Sequence, residues 1–359
     1  MAGWIRCGRR VVLGALVPLL ALALAGCGIT GGEVQSANET FADNAESIWN
    51  LFVPIFWLSV VIFVLVQGAL IWAVIKFRYR DGDPPPPQLH GNTKVEVAWT
   101  IAPAVILAII LVPTITTIAD LASEPDEPYT VDVIGHQWWW EFEYEDEGFK
   151  TGNVLHVPAD QPIHLRMTAA DVIHSFYAPQ LFGKQDTIPG RTTNIYFTPE
   201  EPGEYYGQCY EFCGLQHANM MFRIVVHEPG DFEAWVADQQ DGAPDPEPDT
   251  LEARGKEVFF QPGAACHACH AIDGAVAEDG TEAVAEVGPN LTNIGERPIL
   301  GAGALENTPE NLHDWIRDPQ ESKPGNEMPS FSQDAISDED LEALVAYLSS
   351  LQSERADAD

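Results

Sequence analysis

Two apolar runs near the start of the chain constrain its fold more than any other feature. Residues 47–75 and 97–119 contain no charged side chain, and each exceeds the roughly 20 residues that a membrane-spanning helix needs. The prolines inside them are tolerated where helices pack in a bundle. A buried hairpin of a soluble protein is the alternative, but two charge-free runs of this length disfavour it. The sequence therefore predicts a hairpin of two transmembrane helices over residues 47–120.

The charge of the connecting loop predicts how this hairpin is oriented. Lys76, Arg78, Arg80 and Lys94 lie between the two runs. Basic residues concentrate in cytoplasmic loops, so the start of the chain and everything after Asp120 are expected on the outside. We therefore expect a multi-pass protein of the bacterial inner membrane whose large C-terminal part lies on the outer, periplasmic or extracellular side.

The first 26 residues have the layout of an export signal. Basic residues precede the apolar run 11–25, which is the order found in signal peptides. The run ends in Leu-Ala-Gly-Cys, which is similar to a bacterial lipoprotein cleavage box, so Cys27 is predicted to be lipidated and to begin the mature chain. A plain signal peptide followed by an incidental cysteine is the alternative. Residues 27–46 would then form an outer N-terminal segment.

The histidines are placed outside both apolar runs. A heme or copper centre that is buried in the membrane and held by imidazole therefore cannot belong to this chain. If oxygen is reduced, a partner subunit must reduce it.

Soft metal ligands are concentrated in the stretch GQCYEFCGLQHANMM, residues 207–221. It contains Cys209, Cys213, His217 and Met220, and thiolate, thioether and imidazole all suit copper. A second imidazole must come from elsewhere, and His174 is the candidate. Taken alone, the spacing of the two cysteines and the histidine also fits a disulfide or half of a zinc site.

The surrounding motifs narrow these alternatives. The pattern C-x-E-x-C-x3-H-x2-M, preceded by DVIHSF, by GHQWWWEFEY and by KQDTIPGR, resembles the dinuclear copper (CuA) domain of subunit II of cytochrome c oxidase. The resemblance implies a copper site made by the residues His174, Cys209, Glu211, Cys213, His217 and Met220. Glu211 would bind copper through its backbone carbonyl, and its side chain would reach a magnesium ion shared with a neighbouring subunit. Met221 falls where the family has no ligand.

The same resemblance implies roles for two more residues. Trp138 follows GHQ at the position through which electrons enter the family's copper domain, with a core or interface aromatic as the alternative. Glu96 lies three residues before Trp99 in an ExxW setting, where the family carries a glutamate through which protons enter. An interfacial carboxylate with no such role is the alternative for Glu96.

Short β-rich runs broken by proline, glycine and aspartate occupy residues 129–227 of a predicted domain that spans residues 121–238. We predict strands over residues 129–135, 153–158, 162–167, 193–199 and 222–227. Such runs suggest an antiparallel barrel or sandwich, and the resemblance implies an all-β, cupredoxin-like Greek-key barrel. The copper-ligand loop would join its last two strands, on a rigid scaffold.

The charge of the chain is strongly acidic and unevenly distributed. The net charge is -36, and 30 of the 54 acidic residues lie in residues 228–359. Such a surface argues against a nucleic-acid partner and suits a basic protein partner, or else reflects adaptation to high salt. Residues 239–250 are rich in proline and aspartate and are predicted to be a linker before a final domain, residues 251–359.

This final domain contains a heme-attachment motif. Cys266, Cys269 and His270 form C-x-x-C-H, which indicates covalent heme c with the histidine as an iron ligand. A thioredoxin-like redox pair is the alternative, but the βαβ context is missing. Met328 is the predicted second axial ligand, because a Met/His pair is typical of cytochromes c; His313 is the competitor. GPNL at residues 288–291 resembles a loop of class I cytochromes c, which implies a small all-α domain.

Helix start signals fit that domain. Ser337 precedes three acidic residues and a run of apolar residues at helical spacing, and Thr308 precedes a proline. We predict helices that begin at both places.

Together these features are similar to subunit II of a cytochrome c oxidase with a fused cytochrome c domain. The resemblance implies electron transfer from heme c to dinuclear copper and on to the oxygen-reducing subunit I, coupled to proton pumping. Subunit I, which bears heme and CuB, other oxidase subunits and the membrane are the implied partners. The implied donor is cytochrome c or a quinol–cytochrome c reductase complex. A copper subunit of a nitric oxide reductase and a non-enzymatic membrane copper or redox protein remain alternatives; a quinol oxidase subunit is disfavoured, because such relatives lack these copper ligands.

Overall fold

The computed structural model describes residues 34–85, 87–88 and 90–352. The predicted signal peptide and Cys27 lie outside the described residues. Three parts follow one another along the chain: a pair of long helices, a β-domain and a helical domain. This is the predicted order of folds.

Two long helices form the N-terminal part. Helix α1 spans Asp43–Lys76 and helix α2 spans Thr93–Leu121, and both are long and apolar enough to cross a membrane. Their large apolar side chains are mostly exposed, among them Phe63 and Leu107. A lipid environment would remove this surface from water. The prediction of two long apolar helices is confirmed, although α1 begins four residues before Ser47.

The first turn of α1 is attached to the β-domain. Asn44 donates a hydrogen bond from Nδ2 to the carbonyl of Tyr196 at 2.8 Å and accepts one from the amide of Gly183 at 3.1 Å. The carboxylate of Asp43 accepts from the amide of Thr198 at 2.7 Å. The beginning of α1 and the β-domain therefore lie at the same end of the helix pair.

The β-domain consists of ten strands. They are β1 Tyr129–His136, β2 Trp139–Tyr144, β3 Phe149–Gly152, β4 Val154–Pro158, β5 Ile163–Ala169, β6 His174–Tyr177, β7 Gln185–Thr187, β8 Thr193–Phe197, β9 Gly203–Cys209 and β10 Met221–His227. They form two five-stranded sheets with the orders β3-β2-β1-β5-β8 and β4-β10-β9-β6-β7. All predicted strands are present, and the cupredoxin-like β-domain is confirmed.

The sheets are mixed, so the prediction of an antiparallel arrangement is wrong in part. β1 pairs with β5 in parallel, and β10 pairs with β4 in parallel. Sequence alternation specifies which face of a strand is buried, but it does not specify the direction of the neighbouring strand.

Aromatic side chains fill the space between the sheets. Phe176 of β6 stacks on Phe222 of β10 with ring centroids 3.9 Å apart, and Trp140 contacts both rings edge-on. Gly207 leaves room for this stack, because a Cβ there would lie 2.1 Å from the Phe222 ring. The core therefore holds in place β6, which begins at His174, and the two strands that flank the copper-ligand loop, β9 and β10.

A helix closes the β-domain. Helix α3 spans Pro229–Asp241 and buries Phe232 and Trp235 against the β-domain core. It extends past Gln239, which is buried in its last turn. The segment between this helix and the next is therefore residues 242–250, which begins later than predicted.

The last domain is mainly helical. It contains α4 Leu251–Phe260, α5 Pro309–Arg317, α6 Pro319–Ser322 and α7 Asp338–Ser350, with two small sheets formed by β11 Ala271–Val276, β12 Glu282–Val284, β13 Ile299–Leu300 and β14 Leu305–Glu306. The strands were not predicted. The predicted caps are present: the hydroxyl of Ser337 accepts from Asp340 N, and that of Thr308 accepts from Asn311 N. Gly255 allows α4 to pack directly on α7, since a Cβ there would lie 2.0 Å from the carbonyl of Ala343.

Candidate copper centre and heme site

The copper-ligand loop joins β9 to β10, as predicted. Cys209 is the last residue of β9, and Cys213 lies in the loop; both are buried. His174 begins β6, which pairs with β9 so that Phe176 stands opposite Cys209. Strand pairing therefore brings an imidazole from a distant part of the chain to the two thiols.

The six predicted ligands are grouped together. Cys209 Sγ lies 3.8 Å from Cys213 Sγ and 3.2 Å from the carbonyl oxygen of Glu211. Cys213 Sγ lies 3.6 Å from His217 Nδ1 and 3.8 Å from Met220 Sδ. The ligand atoms of His174, Cys209 and Cys213 lie within 4.8 Å of one another. Both cysteines are free thiols, so the disulfide alternative is not what the structure shows.

One ring nitrogen of His174 is left for a metal. Its Nε2 lies 2.7 Å from Oδ1 of Asp171, whereas its buried Nδ1 has no hydrogen-bond partner among the described residues. Burial lowers the pKa of His174, but contacts with Cys209 and Asp171 outweigh burial and raise it. A buried, unpaired nitrogen beside two thiols is what a metal ligand requires.

The chemistry of the donors favours copper over zinc. Zinc sites are built from cysteine, histidine and carboxylate, whereas this cluster adds the thioether of Met220 and a backbone carbonyl. Soft sulfur ligands of this kind select copper. The residues present therefore fit a copper centre.

The two thiols differ in their readiness to lose a proton. A hydrogen bond from Cys213 lowers the pKa of Cys209, against the opposing effect of burial. The same contact raises the pKa of Cys213. The thiolate that binds metal is thus already favoured at Cys209.

The histidine of the heme-attachment motif, His270, is oriented as an iron ligand would be. His270 Nδ1 lies 2.8 Å from the carbonyl oxygen of Pro289, so Nδ1–H donates there and Nε2 is left for iron. Burial lowers the pKa of His270, which favours the neutral imidazole. A Cβ on Gly288 would lie 2.5 Å from His270 Cε1, so the GPNL loop packs directly on this ring. Cys266 and Cys269 are free thiols.

The two candidates for the second axial ligand differ in position. Met328 packs against the buried core of the last domain. His313 is partly exposed, with Nδ1 3.1 Å from the carboxylate of Asp314. The position of Met328 therefore suits a second axial ligand of the heme better than the position of His313 does.

Comparisons with known proteins agree with this geometry. The families described as cytochrome c oxidase subunit II, transmembrane domain, as its periplasmic domain and as cytochrome c match residues 34–117, 148–228 and 252–352. Cytochrome c oxidase subunit 2 of Alkalihalophilus pseudofirmus is 38% identical over 343 residues, which cover 94% of this chain and 96% of that protein.

The chain belongs to the cytochrome c oxidase subunit II family.

A second relative and a solved domain are also similar to this chain. Cytochrome c oxidase subunit 2 of Bacillus subtilis is 32% identical and is covered to 98%, with 96% of this chain aligned. The solved periplasmic domain of subunit II of the Bradyrhizobium japonicum oxidase is 34% identical, covers 33% of this chain and 96% of its own length, and has a TM-score of 0.32.

This subunit II is an electron-transfer subunit of a heme-copper oxidase and carries a cytochrome c domain. Its subunit II domain implies copper, and its cytochrome c domain implies heme. It is membrane-anchored and has a periplasmic domain.

Trp138 lies against the copper-ligand loop of this subunit. Its Nε1 donates to the carbonyl of Cys213 at 3.0 Å, and Gln137 Nε2 donates to the same oxygen at 2.6 Å. The next two tryptophans have different surroundings: Trp139 stacks on His136, and Trp140 is fully buried. The predicted role of Trp138 in electron transfer stays a prediction, supported by this contact.

Glu96 has a structural role that the sequence did not suggest. Asn92 caps helix α2, and Glu96 Oε1 accepts a hydrogen bond from Asn92 N at 3.1 Å. This reciprocal contact stabilises the first turn. Proton entry through Glu96 stays a prediction.

Magnesium at Glu211 also stays a prediction. The carboxylate of Glu211 is half-exposed, and Lys184 Nζ lies 3.8 Å from Oε2. The single metal-binding group of histidine, cysteine and carboxylate ligands found in the described part of the chain is His174 with the two loop cysteines.

Sequence reasoning missed two residues beside the sites. Asp171 orients His174, and the D-x-x-H spacing in DVIHSF was the available signal. Lys323, which contacts Trp138, had no signal in the sequence.

Proposed function

We propose that this subunit relays electrons one at a time from an external donor, through its own cytochrome domain, to the oxygen-reducing subunit I of the complex. His174, Cys209, Glu211, Cys213, His217 and Met220 would hold the dinuclear copper centre, and Cys266, Cys269, His270 and Met328 would hold heme c. When bound, both groups supply one-electron redox chemistry, and the complex couples it to proton pumping.

Direct contact between the two site-bearing domains carries this proposal. Met221 N, immediately after the last copper ligand, donates to the carbonyl of Ala302 in the cytochrome domain at 2.8 Å. Gln216 Nε2 donates to the carbonyl of Pro324 at 2.7 Å. A tethered domain seated on the copper-ligand loop replaces bimolecular docking by a high effective concentration.

The helix pair supports the proposed topology. The start of α1 contacts the β-domain, and the basic residues Lys76, Arg78, Arg80 and Lys94 lie at the other end. Two passes through the bacterial inner membrane, with the large domains outside, satisfy both facts. The domain boundaries proposed are residues 1–26, 27–46, 47–120, 121–241, 242–250 and 251–359, with lipidation at Cys27.

The acidic cytochrome domain would receive electrons from a basic donor, cytochrome c or a quinol–cytochrome c reductase complex. Glu96 would admit protons, and the Glu211 carboxylate would bind magnesium at the contact with a neighbouring subunit. The relatives named cytochrome c oxidase subunit 2 favour oxygen over nitric oxide as the terminal acceptor.

The test uses the full chain copurified with its partner subunits after expression with heme maturation. A mixed-valence dicopper EPR signal together with a low-spin Met/His heme spectrum is expected. Cys213→Ser should abolish the first signal and leave the second. A chain that contains only zinc, or no metal after copper loading, would overturn the relay.

A further inference from the structure

Lys323 connects the cytochrome domain to the β-domain in an unusual way. It follows helix α6 and is 3% exposed. Its Nζ donates hydrogen bonds of 2.7 Å to the carbonyl of Trp138 and to the carbonyl of Gly301. One acceptor belongs to the copper-bearing domain and the other to the cytochrome domain.

A lysine is seldom buried to this degree, because the ammonium loses its hydration. Here burial lowers the pKa of Lys323 to about 7. A neutral amine has two N–H groups, and two carbonyl oxygens accept them. The side chain is thus satisfied only while both domains are in place.

The turn that supplies one acceptor also contacts the residue that follows the copper-ligand methionine. Gly301 has φ +55, a left-handed conformation that suits glycine, and the turn closes through Gly303 N to Leu300 O. In this turn the carbonyl of Gly301 accepts from Lys323, and the carbonyl of Ala302 accepts from Met221 N. The successive carbonyl groups of Gly301 and Ala302 therefore both accept hydrogen bonds at the contact between the two domains.

A short series of contacts joins the two predicted sites through Lys323. Trp138 Nε1 bonds the carbonyl of Cys213, and the carbonyl of Trp138 accepts from Lys323. The carbonyl of Lys323 accepts from Asn326 Nδ2 at 2.7 Å, and Asn326 Oδ1 accepts from Met328 N at 2.8 Å. Lys323 is the middle member of this series, which runs from a proposed copper ligand to the proposed heme ligand.

We propose that Lys323 is a positioning residue, which fixes the cytochrome domain on the copper-ligand loop and so sets the path for electron transfer inside the subunit. Neighbouring contacts reinforce it: Gln216 bonds Pro324, and Gly325 approaches Leu215 so closely that a Cβ would lie 2.9 Å from its Cδ2. The proposal rests on the proposed function only for the electron-transfer step.

The test compares Lys323→Met, Lys323→Gln and Lys256→Met in the full chain within its complex. Methionine has similar length but no donor, so it leaves both carbonyls unpaired. Glutamine keeps two N–H groups on a shorter side chain. Lys256 is the other lysine of residues 251–359 and contacts Asp245 away from the copper-ligand loop, so it is the matched control.

Two readouts are needed. Hydrogen exchange at the Met221 amide reports opening of the domain contact without requiring any metal. The rate of electron equilibration between the two centres, measured with their reduction potentials, reports the path. We expect Lys323→Met to raise exchange at Met221 and slow equilibration at least about tenfold, with both potentials and protection in β1 and β5 unchanged. Lys323→Gln should recover part of both losses, and Lys256→Met should match the parent.

Unchanged hydrogen exchange at Met221 in Lys323→Met would overturn the docking role. Faster exchange at Met221 with an unchanged rate of electron equilibration would overturn the role in the electron path. If metal loading failed in the parent chain, the relay itself would fall, while hydrogen exchange would still decide whether Lys323 holds the domains together.

Discussion

Asp171 Oδ1 and His174 Nε2 are 2.7 Å apart, and this contact leaves Nδ1 as the free ring nitrogen beside the cysteine pair. The other carboxylate oxygen of Asp171 accepts from the amide of Gln137 at 2.6 Å. Asp171 thus links the strand that supplies the histidine to the GHQ turn that precedes Trp138. A charged acceptor on the distal nitrogen orients the ring and raises its basicity toward a metal.

Asp171→Asn should weaken copper retention by about 10- to 100-fold, because the amide is a poorer acceptor for Nε2–H. The measurement is copper content and the dicopper EPR signal after titration with a competing chelator. Glu145→Gln, an exposed carboxylate of the same domain that pairs with Arg166, is the control. Equal retention in the two variants would contradict the orienting role.

Met328→Leu should remove the Met/His signature of the heme, because leucine fills the same space without a sulfur ligand. The heme should stay attached, since Cys266 and Cys269 are untouched. The optical spectrum and the reduction potential check this, and a fall in potential is expected. His313→Asn should leave both unchanged. The opposite pattern would assign the second axial position to His313.

Gly288→Ala should displace the proximal histidine, since its Cβ would lie 2.5 Å from Cε1 and 2.9 Å from Nδ1 of His270. A hydrogen bond between that ring and Pro289 would be strained, so we expect an altered heme spectrum and a destabilisation of about 1–3 kcal/mol. Thermal unfolding followed at the heme band measures it. Gly230→Ala, where nothing lies within 4 Å, is the control; equal unfolding temperatures would refute the close packing.

Docking of the cytochrome domain should strengthen as pH rises above about 7. Lys323 has a pKa of about 7 when buried and a usual value of 10.5 when exposed. Between these values the open form binds the extra proton, so raising pH favours the docked form, by up to about tenfold per pH unit. Hydrogen exchange at Met221, corrected for intrinsic pH dependence, measures this. Lys323→Gln should abolish the pH effect, and its persistence there would point to another group.

Glu96→Gln should separate the two roles of this side chain. The amide oxygen of glutamine can still accept from Asn92 N, so the start of α2 stays capped. The amide cannot, however, take up and release a proton as the carboxylate does. If protons enter at Glu96, turnover of the assembled oxidase falls several-fold in Glu96→Gln and in Glu96→Ala alike. Full turnover in Glu96→Gln would leave Glu96 with its capping role alone. Circular dichroism of both variants checks the helix.

Much of this arrangement was predictable from local signals. Charge-free length identified α1 and α2, alternation identified β1, β4, β5, β8 and β10, and capping residues identified the starts of α5 and α7. Strand direction was not predictable, because alternation is the same in parallel and antiparallel neighbours. The small sheets of the cytochrome domain were also missed, since strands as short as β13 and β14 have no periodic pattern to detect.

The sequence by itself determined the ligand types and their spacing: two cysteines, a histidine and a methionine in one loop, and C-x-x-C-H in a later domain. Both ligand sets are local features, because residues a few positions apart in one short loop stay close together whatever the rest of the fold is. Only the tertiary structure decided which side chains from elsewhere complete the sites. His174 reaches the thiols because β6 pairs with β9, Asp171 selects its free nitrogen, and Lys323 lies on Trp138 because two separately folded domains are packed together. Such long-range contacts depend on the summed packing of whole domains, which no local pattern encodes.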